Sequence, residues 1–412
     1  VDAAAVKASI ERTMKVGEGA SYIWDSVSSI RADDPLTVTF TLKYAAPLDL
    51  AAASSYAGYI YDTKAAPDLK KWFGDGRDAG SGPYTVAAWR KNQENEITLK
   101  AYDGYWGGWD QPHYRTVEFR VNPDPDQAFR MLQRGEASFV QRLNSRLYAR
   151  ARVTPGIRTS QRASFQTMMM LFNTADGPMR DPRVRRAVQK AVDYRGIVRA
   201  LRGAASPLSG VVPEGLLGHV KGRYPRQDLA GAAALLQKAG YGPGGKPLRL
   251  SLTYAEGDTD ERLLATRLAM ALKPLNVTLD ARAMEWNPQW DLGKKRGQDI
   301  FVMYWWPDYP DGYSWFTNVF RSADPVSFNL TYLRDSSVDG MTDSLPALTV
   351  TDRGAAQEVF ARLTRRLIDQ RSVAAMPWVV NYQRAYLGSI QGYDDNPAYP
   401  DVVFVYDLRP SG

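Results

Sequence analysis

The 412-residue sequence contains no cysteine, which excludes disulfides, thiolate nucleophiles and cysteine-ligated zinc or iron–sulfur sites, and leaves the redox compartment open. Histidine is nearly absent. His113 and His219 are the only two, far apart in segments that read as loops. That argues against a Ser-His-Asp triad or a multi-histidine metal site, and both histidines read as surface residues. No metal and no cofactor is expected. Long apolar runs are missing as well: residues 168–172 are far too short to cross a bilayer. There is no Lys/Arg-rich tract despite a net charge of +7 and a pI near 9.3. In residues 180–202 the arginines share a helix with Asp181 and Asp193, so no nucleic-acid partner is expected. The start carries no secretory pattern; it enters at once into an amphipathic helix with Val6, Ile10 and Met14 on one face.

What is present is an ordinary globular composition, 44% hydrophobic and 24% charged, at a length that calls for two or more domains. Residues 36–42 (LTVTFTL) alternate as a half-buried strand, and residues 85–89, 96–101 and 116–121 read as further strands. Gly80-Ser81-Gly82 lacks the Lys-Ser/Thr ending and the following helix that a phosphate loop needs, so it reads as a tight turn. Asp124 caps a helix ended by Gly135. Residues 165–172 read as an apolar strand, and Asp181-Pro182 opens a strong helix, with Val184, Ala187, Val188, Ala191 and Val192 on one face, running to Arg202. Helix 229–238, strand 248–254, helix 261–272, strand 277–281, a short helix near Trp290 and strand 300–306 then alternate. That spacing predicts crossover connections and a largely parallel sheet with the last strand central. Helix 351–368, an apolar segment 373–380 and a final strand 402–408 close the chain.

Residues 299–316 (DIFVMYWWPDYPDGYSWF) hold the candidate site. A buried-strand run breaks at Pro307 into a loop carrying Asp308 and Asp311 among Trp305, Trp306, Tyr309, Tyr313 and Trp315. Such a strand end delivers stacking surfaces and charge to a crevice. Two chemistries meet this description. A carboxylate pair beside aromatics suits a carbohydrate-acting hydrolase, although two acids three residues apart in one loop flank a scissile bond poorly. The other is recognition without turnover: an aspartate beside aromatics keeps its charge when a ligand ammonium pairs it, and indoles add cation–π attraction.

Several motifs together resemble the family 5 extracellular solute-binding proteins. They are GSGPYTVAAW (80–89), YDGYWGG (102–108), AFRMLQRGEA (128–137), LFNTADGPMRDPRVRRAVQKAVD (171–193), DLAGAAALLQKAGY (228–241) and the W-x-x-D segment from Trp305 to Asp308. The resemblance covers almost the whole chain. It implies an α/β fold of the two-lobed periplasmic-binding-protein type (type II, with an extra subdomain), with mixed sheets flanked by helices around a hinged cleft. Mapped here, lobe I would be residues 1–164 and 383–412, with 1–79 the extra subdomain, and lobe II residues 165–382. The implied role is a non-enzymatic, monomeric, periplasmic or extracytoplasmic receptor that hands a short peptide or similar amine-bearing solute to ABC transporter permease subunits. The same role for a non-peptide solute (a sugar, an opine or a metal complex) is the alternative within the family. By similarity Asp308 would pair a peptide α-ammonium, with Trp305 and Trp286 as pocket aromatics; Trp306 and Tyr309 join them by proximity. Val302 stands where oligopeptide receptors can carry an arginine for the ligand carboxylate, Met168, Met169 and Met170 replace a tyrosine-rich strand entry, and Gly312 replaces a frequent proline. Members also carry a segment ahead of the first helix, so a signal or lipid anchor and some lobe I contacts are expected outside this sequence.

Overall fold

Residues 168–172 and 300–303 have no polar face, the pattern of strands covered on both sides. The computed structural model, which describes residues 1–90, 96–122 and 124–411, places them side by side at the centre of a seven-stranded sheet. In chain order the strands are β1 (Val27–Asp34), β2 (Thr37–Leu42), β3 (Tyr84–Arg90), β4 (Glu96–Ala101), β5 (Thr116–Arg120), β6 (Phe139–Val140), β7 (Ile157–Phe172), β8 (Ala205–Ser206), β9 (Leu248–Ala255), β10 (Val277–Met284), β11 (Ile300–Trp305), β12 (Ala374–Leu387), β13 (Ile390–Gln391) and β14 (Arg409–Pro410). The large sheet has the order β10-β9-β11-β7-β12-β6, with β8 added to β12. β11 is interior, as expected.

The sheet is mixed, which corrects the expectation of a largely parallel one. Within it β10–β9 and β9–β11 are parallel, whereas β11–β7, β7–β12, β12–β6 and β12–β8 are antiparallel. The long strands β7 and β12, 16 and 14 residues, run antiparallel to each other from Leu171–Ala374 out to Ile157–Leu387, and β7 enters the sheet against the direction of β11. The alternation of side chains divides the core in two. Met168, Met170, Phe172, Ile300 and Val302 face helices Pro182–Ala191, Leu229–Lys238 and Thr259–Leu272. Met169, Leu171, Phe301, Met303 and Trp305 face helices Ser336–Thr351 and Arg353–Thr364 and the turn carrying Trp315 and Phe316. Each fully buried side chain of this size contributes about 1.5–3 kcal/mol, and this strand pair carries a continuous row of them.

Two smaller cores flank this one. Helix Ala3–Val16 and the β1–β2 hairpin bury Ile10, Trp24, Val27 and Ile30, and Tyr309 enters the same cluster from the loop after β11. Helices Pro125–Arg134 and Ser145–Ala151 bury Phe129, Leu132 and Leu147 against Ala385 of β12. β3, β4 and β5 form a separate antiparallel sheet.

Other readings need correction. The helix opened by Asp181 ends at Ala191, and a second runs Tyr194–Ala200, because Asp193 turns its carboxylate onto the Gly196 N–H at 2.9 Å and caps a new start. Residues 402–408 form no strand. Phe404 and Val402 stay exposed, and Tyr406 instead stacks on His113 at 4.3 Å. Both histidines are half-buried, their Nδ1 atoms paired with the Tyr406 and Val212 carbonyls.

Candidate functional site

Because β9, β10 and β11 are parallel neighbours, their carboxyl ends at Ala255, Met284 and Trp305 share one edge. The loops leaving that edge carry Glu256 and Asp258, Trp286, and Trp306 with Asp308. Ligands of open α/β sheets sit beyond such an edge. Facing it are residues of the 124–146 segment, and a cavity of about 740 Å³ opens between Asp126 and Ser145 on that side and Glu256, Asp258 and Asp260 on the other.

Pro307 ends β11, and the chain folds back through Tyr313–Trp315 and Phe316–Phe320, which puts Ser314 and Asn318 on one helical face beneath Asp308. Three donors converge on a single Asp308 oxygen. The Tyr22 phenol donates to Oδ2 at 2.8 Å, the Ser314 hydroxyl at 3.2 Å and the Asn318 amide at 3.1 Å. Ser314 Oγ also accepts from the Asp308 N–H at 3.2 Å and from the Trp305 indole at 3.3 Å, so one hydroxyl fixes both ends of the W-x-x-D segment. Among the described residues no hydrogen bond reaches Oδ1 and no Lys or Arg pairs the carboxylate. Burial pushes the Asp308 carboxyl up, against the three hydrogen bonds, which pull it down. The carboxyl is thus partly buried, with its neutral donors all gathered on one of its two oxygens.

The other expected site residues divide. Trp286 and Trp306 are exposed at the strand edge, 47% and 40%, and Trp286 stacks on Trp290 at 5.6 Å. Trp305 and Tyr309 are buried, Trp305 edge-on to Phe328 at 5.0 Å within the sheet core and Tyr309 in the amino-terminal core. Asp311 is buried too; its Oδ1 accepts from the Tyr313 N–H at 2.8 Å, and burial pushes it up to about 6. Asp308 and Asp311 therefore face different surroundings.

Tyr22, Ser314 and Asn318 were not singled out in the sequence. The spacing of Ser314 and Asn318 after Pro307 was a usable signal, four residues apart on one helical face. Nothing local marks Tyr22, 286 positions away from its partner. Also missed was a second junction on the other face of β11. Arg142, just after β6, donates through Nη2 to Asp258 Oδ2 at 2.7 Å and to the Tyr304 hydroxyl at 2.8 Å.

The sequence profile described as bacterial extracellular solute-binding proteins, family 5 Middle, matches residues 1–326. The probable D,D-dipeptide-binding periplasmic protein DdpA of Escherichia coli K12 is 25% identical over 410 residues, covering 98% of this chain and 77% of the relative. The glutathione-binding protein GsiB of Salmonella paratyphi A is 26% identical over 362 residues, covering 85% of this chain and 69% of the relative. Two solved structures share the fold over the full chain. One is NikA from Staphylococcus aureus with Ni(L-His)2 (TM-score 0.86, 19% identity, 84% of that chain covered). The other is the periplasmic binding protein DppA from Helicobacter pylori with the peptide STSA (TM-score 0.85, 18% identity, 82% covered). The relatives matched in sequence are binding proteins, and the fold is that of two-lobed periplasmic binding proteins.

Proposed function

Since the chain belongs to the bacterial extracellular solute-binding proteins of family 5, we propose that it is the solute-capturing receptor of an ABC importer and that its solute is a short peptide or a similar amine-bearing compound. The observation that carries the solute class is the Asp308 carboxylate, which has three neutral donors on Oδ2 and, among the described residues, no hydrogen bond to Oδ1 and no cation. An ammonium at Oδ1 supplies the missing countercharge in a site where charge is only partly solvated, the condition under which such a pair counts most. Trp286 and Trp306, exposed at the same edge, offer apolar and cation–π surface to the rest of the solute.

The lobe boundaries near 164/165 and 382/383 belong to the same reading. β7 passes through the first position and β12 through the second, with the two-faced sheet core on one side and the core of Phe129, Leu132 and Leu147 on the other. A solute touching both lobes then shifts the hinge towards closure by its differential affinity for the closed state. No helix among the described residues is long and apolar enough to cross a membrane; the extracytoplasmic placement and the permease partners are proposed from the family. A hydrolytic use of Asp308 with Asp311 is disfavoured by the 3% exposure of Asp311, since a glycosidase pair must reach a bound sugar from two sides.

The test is native mass spectrometry of the gently purified chain, followed by tryptophan-fluorescence titration with trialanine. Stoichiometric binding with no product after hours is expected. Release of cleavage products, abolished by Asp308→Asn, would instead establish an enzyme.

A further inference from the structure

On the lobe boundaries proposed above, Arg142 belongs to lobe I, while Asp258 and Tyr304 belong to lobe II. Their contact spans the cleft. One guanidinium nitrogen, Nη2, serves both partners, at 2.7 Å to Asp258 Oδ2 and 2.8 Å to the Tyr304 hydroxyl, and the guanidinium carbon lies 4.9 Å from the centre of the Tyr304 ring. The lobe II half is rigid. Asp258 Oδ1 accepts the Asp260 and Glu261 N–H groups at 2.9 Å each, capping helix Thr259–Leu272, and its side chain is 7% exposed. Tyr304 is the penultimate residue of β11 and packs on the sheet core. The lobe I half is a long side chain, 62% exposed, reaching over from the residue pair after β6.

The same boundaries are crossed by the Ser145 hydroxyl, which donates to the Leu201 carbonyl at 2.5 Å, and by the Tyr22–Asp308 bond, and the cavity of about 740 Å³ opens next to Asp258. Glu256 and Asp260 line its lobe II wall next to Asp258, so a solute carboxylate brought to Arg142 would enter an acidic neighbourhood. Arg142 already has its countercharge. We propose that Arg142 is one clasp holding lobe I on lobe II, and that it shifts the open–closed equilibrium of the cleft towards closure. It is a positioning residue: it acts through closure, and its loss weakens every solute by the same factor, because apparent affinity scales with the closed fraction.

The inference rests on the receptor reading for the meaning of closure, and its test separates the two. The chain has no cysteine, so Val121→Cys and Met270→Cys, both at exposed positions of opposite lobes, give a clean spin-label pair. In the solute-free protein, Arg142→Gln and Asp258→Asn should each move the distance distribution towards longer separations. Arg142→Lys, which keeps the charge, should recover part of the shorter population. Titrations with trialanine and with its carboxyl-terminal amide should show Kd rising about three- to tenfold in Arg142→Gln, by the same factor for both ligands. Unchanged distances would overturn the clasp. So would a rise in Kd for trialanine that is absent for the amide, which would make Arg142 a ligand contact. If the parent chain binds neither peptide, the proposed solute class fails, while the solute-free distances still decide the clasp.

Discussion

The Tyr22 phenol donates to Asp308 Oδ2 at 2.8 Å across 286 positions of sequence, joining the amino-terminal core to the loop at the end of β11. Tyr309, the next residue, is buried in that same core, so the proposed ammonium acceptor and the amino-terminal subdomain are held in one register. Loss of the phenol removes one of the three hydrogen bonds that favour the ionised carboxyl. The Asp308 carboxyl of Tyr22→Phe should therefore titrate at higher pH than in the parent. Since an ammonium needs the ionised form, the acid limb of a Kd-against-pH profile is expected to shift to higher pH in the variant. Coincident profiles would mean that Asp308 does not pair the solute.

Asp311 supplies a stability prediction with a definite sign. Its folded pKa, about 6, lies above the value of about 3.9 expected for an unfolded aspartate, so the neutral form is favoured on folding. Its contribution is fully present below about pH 4 and is lost as pH rises through about 6. Asp311→Asn keeps an acceptor for the Tyr313 N–H and removes the charge. Denaturant unfolding should show the variant more stable at pH 8 by on the order of 3 kcal/mol, with little difference at pH 4. Equal stability at pH 8 would contradict the burial of this carboxylate.

Trp315 ties the loop after β11 to the neighbouring strand: its ring is fully buried and its indole donates to Thr167 Oγ1 of β7 at 2.9 Å. Trp315→Ala should cost about 3–5 kcal/mol in urea unfolding, because the cavity lies between two elements that cannot collapse together. A loss below about 1 kcal/mol would show that the loop is not anchored there.

The Arg384–Asp395 pair near the outer end of β12 is 4% and 1% exposed, and Arg384 also donates to the Gln141 and Pro400 carbonyls. Asp395→Ala leaves a buried cation short of its partner and should cost about 3–5 kcal/mol. The double variant Arg384→Met with Asp395→Leu should recover much of that loss, measured in the same unfolding assay.

Elements that carry their own punctuation were legible in the sequence. Helix Leu229–Lys238, with Asp228 as cap and Gly240 beyond its end, and β4 were read with their observed bounds. Helix Ser336–Thr351 was not, since Pro346, Gly340 and its Ser and Thr residues give it poor propensity. It is held by tertiary contacts instead, with Val338 and Leu345 fully buried and the capping Asp335 paired to Arg366 and Arg371. Strand direction was misjudged because periodicity reports which side chains are buried and says nothing about which neighbour a strand pairs with. At the site, Asp308 was legible through its motif, whereas Tyr22 and Arg142 reach their partners only through the fold.

Calorimetric titration of trialanine and N-acetyl-trialanine into the parent chain and Asp308→Asn addresses Asp308 most directly. The parent should bind trialanine more tightly than its acetylated form by about 2–5 kcal/mol, and Asp308→Asn should erase most of that preference. Equal affinity of the parent for the two peptides, or a preference that survives in Asp308→Asn, would contradict the assignment of Asp308 as the ammonium acceptor.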